Sequence, residues 1–382
     1  MRILTRYFAS EIIRATLFVL LAFLALFAFF DLIGELQAVG TRGYRLEHAF
    51  IYVLFNVPGY AYELMPTATL IGTIYVLAMF AARSEFTIMR ASGLSNRQAA
   101  GLLLRIGVLF ALLTFVIGEY LSPAASEFAE KLKLSAKGAS LSQEFRSGLW
   151  AKDVIRANGV TGDIVGSRFL NAREIKPNGE LIGLRIYEFD RAFHMTADIV
   201  AERATWGGDH AWKLQNVTES RFPPDAKRGN TGLLDITAAV VTTKMAERPL
   251  VSEITPGILA VLFADPDRMS ASGLAAYTRH LAENNQSTER YEIAYWRKLI
   301  YPFAVFVMMA VALPFAYLHV RSGGISAKIF VGIMIGVSFQ LVNSLFAHIG
   351  LLKSWPPFAT AVAPSVLFLL AAVFALQWVE KR

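Results

Sequence analysis

Residues 329–352 read IFVGIMIGVSFQLVNSLFAHIGLL, an apolar run that contains no Asp, Glu, Lys or Arg. An α-helix needs roughly 20 mainly apolar residues to cross the hydrocarbon core of a bilayer. Two further runs of the same kind flank this one, at residues 299–320 and 354–379. The C-terminal part of the chain therefore predicts three consecutive transmembrane helices.

Three more apolar runs lie in the N-terminal third of the chain. The first lies between residues 14 and 31 and can extend to about residue 37, because a charge at the lipid boundary is tolerated. The second covers residues 64–82, and the third covers residues 99–121 with Arg105 and Glu119 near its ends. Apolar residues make up 55% of the chain, more than a soluble core requires. We therefore predict six transmembrane helices.

The positions of Lys and Arg in the short connecting segments predict the orientation, because these residues accumulate in cytoplasmic loops. With the N-terminus inside, 11 basic residues fall on the cytoplasmic side and three fall outside. The inner set is Arg2, Arg6, Arg14, Arg83, Arg90, Arg97, Arg105, Arg321, Lys328, Lys381 and Arg382, and the outer set is Arg42, Arg45 and Lys353. We expect both termini in the cytoplasm and the segment between the third and fourth spans outside.

The net charge of +7 does not indicate a nucleic-acid-binding protein. Residues 120–297 hold 22 basic and 22 acidic side chains, so the whole excess lies in the membrane part, where it serves topology and contact with anionic headgroups. The chain has no cysteine, which excludes disulfides, thiol catalysis and a zinc–thiolate site. The outer domain must hold together by its core alone.

Between the third and fourth spans the pattern changes from helical to short alternating segments, such as Leu184 to Phe189, Ala211 to Val217 and Leu233 to Thr243. Turn signals such as Asn158-Gly159 separate them, which is typical of an antiparallel sandwich or open roll. The fold class is therefore an α-helical membrane protein with an inserted all-β, jellyroll-like domain. A helix at about 123–139 precedes this domain, and an amphipathic helix at 270–284 follows it.

These observations divide the chain into four parts. Residues 1–121 hold the first three spans and a cytoplasmic coupling helix near 84–93, and residues 122–268 form the β domain. Residues 269–297 form a connecting helix, and residues 298–382 hold the last three spans.

Motifs for catalysis are missing from the sequence. It contains no GxxxxGK[ST] phosphate loop, no HExxH and no GxSxG. The ionisable residues nearest the membrane are Glu63, Glu119, His319 and His348, and we interpret them as boundary residues because all lie near predicted helix ends. We expect a chain that is not an enzyme and binds no metal or cofactor, with any ATP used by a partner.

A short segment between the second and third spans has the features of a docking helix. Ser84 can cap a helix, Glu85 lies in its first turn, and Gly93 can end it, while Ser95 and Gln98 can form a capping box for the next span. Such a helix would expose Glu85, Ile88, Met89 and Arg90 to the cytoplasm, where it could dock into a groove on another protein. The candidate coupling residues are Glu85, Phe86, Ile88, Met89, Arg90, Ala91 and Gly93. A plain amphipathic linker is the alternative.

The fifth and first spans hold candidate lipid-handling residues. Gly332 and Gly336 form a GxxxG pair that permits close approach of another helix. Exposure of the polar Gln340 and Asn343 to lipid costs free energy, so these side chains are expected to face protein or an amphiphile. The first span is unusually aromatic. The candidate lateral gate and lipid cavity consist of Phe23, Phe27, Phe30, Gly332, Gly336, Gln340 and Asn343. Contact with bulk lipid is the commoner explanation for the aromatic residues.

Five segments in order carry a resemblance to a known family: residues 83–93, Gly118-Glu119, 148–153, 265–274 and 291–302. Together they resemble the permease subunits of the bacterial lipopolysaccharide export ABC transporter, the LptF/LptG type, with more similarity to LptG. The resemblance extends over essentially the full length. It implies a non-catalytic inner-membrane subunit for lipopolysaccharide transport and outer-membrane biogenesis.

The resemblance also implies partners and a lipid route. The partners are an LptF-type permease, a dimer of the ATPase LptB, an LptC-type membrane anchor and an LptA-type bridge protein that meets the periplasmic β-jellyroll. Family members use the first and fifth spans as lateral gates. Related proteins often place basic residues at the outer end of the first span, where this chain has Asp31 and Glu35. Lipid phosphate contacts would then fall to Arg42, Arg45, Lys131 or Lys133.

Two other classes of function remain open at this point. A membrane enzyme acting on lipid would need a convergent catalytic set, and the sequence shows none. A non-transporting scaffold of an envelope-assembly complex would share the topology, but it would not need aromatic and polar residues within its spans. Only the permease predicts nucleotide-dependent movement of lipid.

Overall fold

The computed structural model describes residues 2–41, 43–91, 96–136, 148–176, 178–222, 240–261, 265–317 and 324–380. Within these ranges six helices are long and apolar enough to cross a membrane, as predicted. The candidate spans are Arg6–Leu36, Leu46–Ala82, Gln98–Lys133, Glu289–Ala316, Ile325–Leu352 and Pro357–Val379.

The N-terminal half of the membrane part consists of five helices. They are α1 (Arg2–Leu36), α2 (Leu46–Ala82), α3 (Glu85–Ala91), α4 (Asn96–Val116) and α5 (Ser122–Ala136). A π-helical turn at Ile117–Leu121 joins α4 to α5 without a break, so the third span continues beyond the predicted end at residue 121.

The second span also begins earlier than predicted, at Leu46 instead of residue 64. Asn56 and Glu63 lower the hydropathy of this part, which hid it from a search for uninterrupted apolar runs. The polar group of Asn56 is satisfied inside the protein, because its amide donates to Asp31 at 3.3 Å and its carbonyl accepts from Arg268 at 3.0 Å. A helix can therefore carry this residue through a packed bundle.

α2 is the central helix of the bundle. In its most apolar 18-residue window 78% of the residues are buried, against 6% for the first span and 22% for the fifth and sixth. Gly72 lets α1 approach closely, since a Cβ there would lie 2.7 Å from the backbone nitrogen of Thr16. α1, α5 and the fourth and fifth spans all pack against α2.

The inserted domain is one antiparallel sheet of six described strands in sequential order, which confirms the predicted all-β fold. The strands are β1 (Leu149–Asn158), β2 (Thr161–Ile175), β3 (Leu181–Asp190), β4 (Met195–Gly208), β5 (Ala211–Arg221) and β6 (Val241–Val251). The strands predicted at 184–189 and 211–217 lie within β3 and β5. Of the strand predicted at 233–243, residues 241–243 begin β6, and 233–239 lie outside the described residues.

The sheet curls until its two edge strands meet at one end. In the described ladders β1 pairs only with β2, and β6 pairs only with β5. Side chains close the gap instead: Ser252 donates to Asp153 at 2.7 Å, Arg156 pairs with Glu253 at 2.5 Å, and Arg168 donates to the carbonyl oxygen of Val251. We call this contact between β1, β2 and the end of β6 the seam.

The concave face of the roll is apolar and closed at one end by the chain that follows β6. Ile254 and Leu259, the latter in α6 (Pro256–Val261), pack into the cluster around Ile186 and Trp212. The indole nitrogen of Trp212 donates to the carbonyl oxygen of Ile254 at 2.7 Å. This hydrogen bond fixes the segment that closes the roll.

A helical hairpin connects the β domain to the fourth span. It consists of α7 (Ala271–Glu283) and α8 (Glu289–Ile300), and Ser270 caps α7 by accepting from the backbone nitrogen of Gly273 at 3.0 Å. The predicted helix at 270–284 is thereby confirmed. Leu274 and Tyr277 fill the contact between the two helices, and burial raises the pKa of Tyr277.

The fourth span starts in α8 and continues through two short 3₁₀ turns and α9. The turns are Tyr301–Phe303 and Leu313–Ala316, on either side of α9 (Ala304–Ala312). The last two spans are α10 (Ile325–Leu352) and α11 (Pro357–Glu380).

The ion pair at the seam predicts a large effect of mutation. Asp153 is fully buried and lies 2.8 Å from Arg168, so Arg168→Ala leaves a buried carboxylate without its cation. Loss of one partner of a buried pair costs about 3–5 kcal/mol, which corresponds to at least about 100-fold faster amide exchange. Hydrogen exchange of β1 in the full-length protein measures this.

The matched control is Arg185→Ala, which removes the same side chain type from an exposed pair with Asp198 at 2.7 Å. Exposed pairs contribute about 0–1 kcal/mol, so exchange should change little. Equal effects of the two substitutions would show that the buried pair does not hold β1 in place.

Candidate functional site

The predicted docking helix is present as α3, and it begins immediately after α2. Ser84 adopts a left-handed conformation with φ of 59°, because only two residues separate the helices. Its carbonyl oxygen accepts from the backbone nitrogen of Ile88 at 3.0 Å and starts the helix. An N-cap residue usually has an extended backbone, so Ser84 departs from the usual conformation of the predicted cap. Gly93 and Ser95 lie outside the described residues.

α3 has one face on the bundle and one face away from it. Ile88 is 62% exposed, whereas Met89 is 7% exposed and packs into the membrane core. The expectation that Met89 faces outward is wrong, because α3 lies along the bundle and places Met89 in its apolar core. Glu85 is half-buried, 3.8 Å from Arg83 and within 3.4 Å of the Tyr7 hydroxyl, which donates to it.

Two other candidate coupling residues, Phe86 and Arg90, belong to α3, and the structure describes their backbone only. Ala91 ends the helix and is exposed. The described contact surface of α3 is therefore centred on Ile88.

The glycine pair of α10 faces α2 of the same chain. A Cβ on Gly332 would lie 2.8 Å from Ile74 Cδ1, and one on Gly336 would lie 2.5 Å from Thr67 Cγ2. Asn343 is buried on this side, whereas Gln340, one turn after Gly336, is exposed at the edge of this face. The glycines and Asn343 therefore support internal packing of the fifth span.

The aromatic residues of α1 differ in their surroundings. Phe27 packs against Tyr60 of α2 with ring centroids 5.5 Å apart, and Phe23 is partly buried. Phe30 is 61% exposed and continues an apolar surface that includes Phe18 and Leu21. This face of α1 is suited to contact lipid tails or another membrane helix.

The candidate phosphate-binding residues are already paired with acidic side chains. Lys133 lies 2.6 Å from Glu35 and 4.2 Å from the centre of the Tyr52 ring. Lys131 pairs with Glu127 at 2.5 Å and Arg45 with Glu47 at 3.5 Å, both in exposed positions. Arg42 lies outside the described residues.

Glu35 also receives a hydrogen bond from the hydroxyl of Tyr44 at 3.0 Å. Burial and this hydrogen bond raise the pKa of Tyr44, which lies in the connection between α1 and α2. Lys133, Glu35 and Tyr44 therefore join the ends of α1, α2 and α5 into one polar contact. Lys133 is neutralised by Glu35 in a partly buried contact, whereas Lys131 and Arg45 are exposed.

Glu119 has a role that the sequence reasoning missed. Its carboxylate accepts from the backbone nitrogens of Ala271 and Ser272 at 2.7 and 3.2 Å, and from the Ser272 hydroxyl at 3.0 Å. It therefore caps α7 from within the third span. An isolated acidic residue at the end of an apolar run, followed far along the chain by a capping Ser270, was the available signal.

Among the described residues no group of three His, Asp or Glu side chains could hold a metal ion. The exposed apolar residues that the fold assembles lie on α3, α1 and α10.

Comparison with known proteins covers both the membrane part and the β domain. The profile of the family described as "Lipopolysaccharide export system permease LptF/LptG" matches residues 6–378. The chain belongs to the LptF/LptG permease family. This family is one of transporter permeases.

The chain is 28% identical to the lipopolysaccharide export system permease protein LptG of Escherichia coli (strain K12) over 376 residues, which cover 98% of each chain. It is 27% identical over 368 residues, 96% of each chain, to the protein of that name from Haemophilus influenzae. The predicted resemblance to LptF/LptG permeases is thereby confirmed, and the chain is a multi-pass membrane protein of this family.

The contact of α10 with α2 predicts the effect of a bulky residue. Gly336→Leu should destabilise the helix bundle by about 1–3 kcal/mol, because Thr67 is a short, stiff side chain that cannot move aside. Membrane insertion should persist, since the span stays apolar. Unfolding of the full-length protein in mixed micelles measures the change.

Gly101→Leu is the control, because a Cβ at Gly101 of α4 meets no atom within 4 Å. It should leave the unfolding midpoint near that of the unmodified protein. If the two leucine variants unfolded at the same midpoint, the close approach of α10 to α2 would not contribute to stability.

Proposed function

We propose that this chain is a permease subunit of an ABC transporter that extracts lipopolysaccharide from the inner membrane and passes it to a periplasmic β-bridge. The observation that carries the proposal is the family match over residues 6–378, which spans the membrane helices and the β domain together. A match to the membrane part alone would leave the delivery step without support.

The energy comes from a partner ATPase in this proposal. The chain has no phosphate loop, and it is the non-catalytic subunit without a cofactor of its own. α3 lies between the second and third spans and presents the exposed Ile88, which supports its role as the docking helix. An LptB-type dimer would accept this residue in an apolar groove, and Glu85 would be held in place by Arg83 and Tyr7.

The lipid passes along the apolar faces of α1 and α10. Phe30 of α1 and Leu341 of α10 are both largely exposed, although each helix packs against α2 on its other side. In a heterodimer with an LptF-type permease these faces would meet the partner's spans and form lateral openings. Tails would contact the aromatic residues of α1, while Gln340 supplies a polar group within the opening.

The exposed Lys131 and Arg45 would bind the headgroup phosphates. A phosphate carries more negative charge than the carboxylates of Glu127 and Glu47, so it can replace them in these weak surface ion pairs. The β domain is periplasmic and both termini are cytoplasmic, as the distribution of basic residues favours. An LptC-type anchor and an LptA-type protein would receive the lipid from the roll.

A non-transporting scaffold is the second candidate function. The exposed face of α3 alone would serve a scaffold equally well, since it needs only a partner. The two functions differ in one measurable property: a permease moves lipid only when nucleotide is hydrolysed.

The test uses the complex of this chain with its partner permease and ATPase, reconstituted in vesicles with lipopolysaccharide. Release to an acceptor β-protein should require ATP. Ile88→Glu should weaken ATPase binding at least tenfold, because it places a charge in an apolar contact, and release should fall with it. Ile88→Leu is the matched control and should retain both.

Release of lipopolysaccharide without ATP would exclude the permease function. Absence of release from a complex whose ATPase is assembled and active would exclude it as well. Wild-type ATPase binding by Ile88→Glu would show instead that α3 is only a linker.

A further inference from the structure

α7 lies between two polar contacts, one at each of its ends. The helix has 13 residues and is therefore about 20 Å long. Its N-terminus meets the third span, and its C-terminus meets β1 at the seam. Each contact uses a charge of the sign that favours that end of a helix: an acid at the N-terminus and a cation at the C-terminus.

At the membrane end, Glu119 holds the first turn of α7 through its three accepted hydrogen bonds. Glu119 lies in the π-helical turn that joins α4 to α5. This turn is closely packed, since a Cβ on its neighbour Gly118 would lie 2.5 Å from the ring of Tyr62 in α2. π-helical turns are frequent at functional sites. A shift of the third span against α2 must therefore move Glu119.

At the other end, two side chains of β1 hold α7. Lys152 donates to the carbonyl oxygen of Asn284, the C-cap residue, at 2.9 Å, and Arg156 donates to Glu283 at 3.2 Å. Arg156 is shared, because it also pairs with Glu253 across the seam at 2.5 Å. The same guanidinium thus joins α7, β1 and the end of β6.

The helix between these contacts has a rigid support. Leu274 and Leu281 are buried against α8, and the edge-to-face pair of Tyr277 and Tyr291, 4.6 Å apart, crosses the contact. The buried Asn284 ends the helix by donating to the carbonyl oxygen of His280. A helix packed along its length moves as a unit and transmits displacement from one end to the other.

We propose that α7 is a strut that couples the position of the third membrane span to the seam of the β roll. No described strand ladder crosses the seam, so a few side chains hold it closed. Movement of Glu119 shifts α7, pulls on Arg156 and Lys152, and weakens the pairing of Arg156 with Glu253. The seam then opens toward the apolar interior. The coupling is a property of the chain itself, and its use to time lipid delivery rests on the proposed function.

The experiment places two spin labels across the seam of the full-length protein in nanodiscs. The exposed Ala157 of β1 and Ala246 of β6 are changed to Cys, which labels specifically because the chain has no other cysteine. Electron–electron distance measurements then report the width of the seam. Arg156→Ala, which cuts the seam contact directly, should shift the distribution to longer distances.

The decisive variant is Glu119→Ala, at the far end of α7. It should shift the distribution in the same direction as Arg156→Ala, and hydrogen exchange should become faster in the first turn of α7. Glu127→Ala is the matched control, since it removes an exposed acid of α5 paired with Lys131 and does not contact α7. It should leave the distribution unchanged. Ser272→Ala, which removes one donor to Glu119, should give a smaller shift.

Two results would overturn the strut. In the first, Glu119→Ala speeds hydrogen exchange in the first turn of α7 but leaves the distance distribution unchanged. In the second, Arg156→Ala leaves the distance distribution unchanged. If Glu119→Ala does not fold, Ser272→Ala is judged by the same criteria. The readout involves no transport. A complex that shows the coupling but never releases lipid would therefore refute the proposed function and leave the strut intact.

Discussion

The close packing of small residues against α2 is the constraint on which the membrane part depends. Lipid tails are as apolar as the helices, so burial of apolar surface does not drive helix association within a bilayer. Van der Waals contact must do so. The absence of a side chain at Gly72 lets α1 approach α2 closely, and Gly336 does the same for α10. At Gly118 the ring of Tyr62 occupies the place of a side chain. α2 is consequently buried on most sides, while the outer faces of α1 and α10 stay exposed.

A second set of contacts is polar, and it joins the spans to one another and to the connection that follows the β domain. Lys133 of α5 pairs with Glu35 of α1, Arg268 donates to Asn56 of α2, and Glu119 caps α7. At the other end of α7, Lys152 of β1 donates to Asn284. Direct hydrogen bonds make these attachments specific in orientation.

Much of this fold can be predicted from the sequence, because the patterns that determine the helices and strands are strong and local. Apolar runs predict the spans, alternation predicts β3 and β5, and the amphipathic pattern of 270–284 predicts α7. The longer ends of the second and third spans were missed, because Asn56 and Glu119 are stabilised by residues distant in sequence. The same reason applies to Met89, whose burial depends on how α3 lies on the bundle. The partner of the glycine pair could not be inferred from the motif, since GxxxG does not specify which helix approaches.

Phe30 lies on the exposed face of α1, where we propose that lipid enters sideways between this helix and the partner permease. Phe30→Cys in this cysteine-free chain, paired with a cysteine in the facing span of the partner, tests this route after oxidation in membranes. The cross-linked complex should keep its ATPase bound and stop releasing lipopolysaccharide, and reduction should restore release. Undiminished release from a fully cross-linked sample would show that lipid does not pass there.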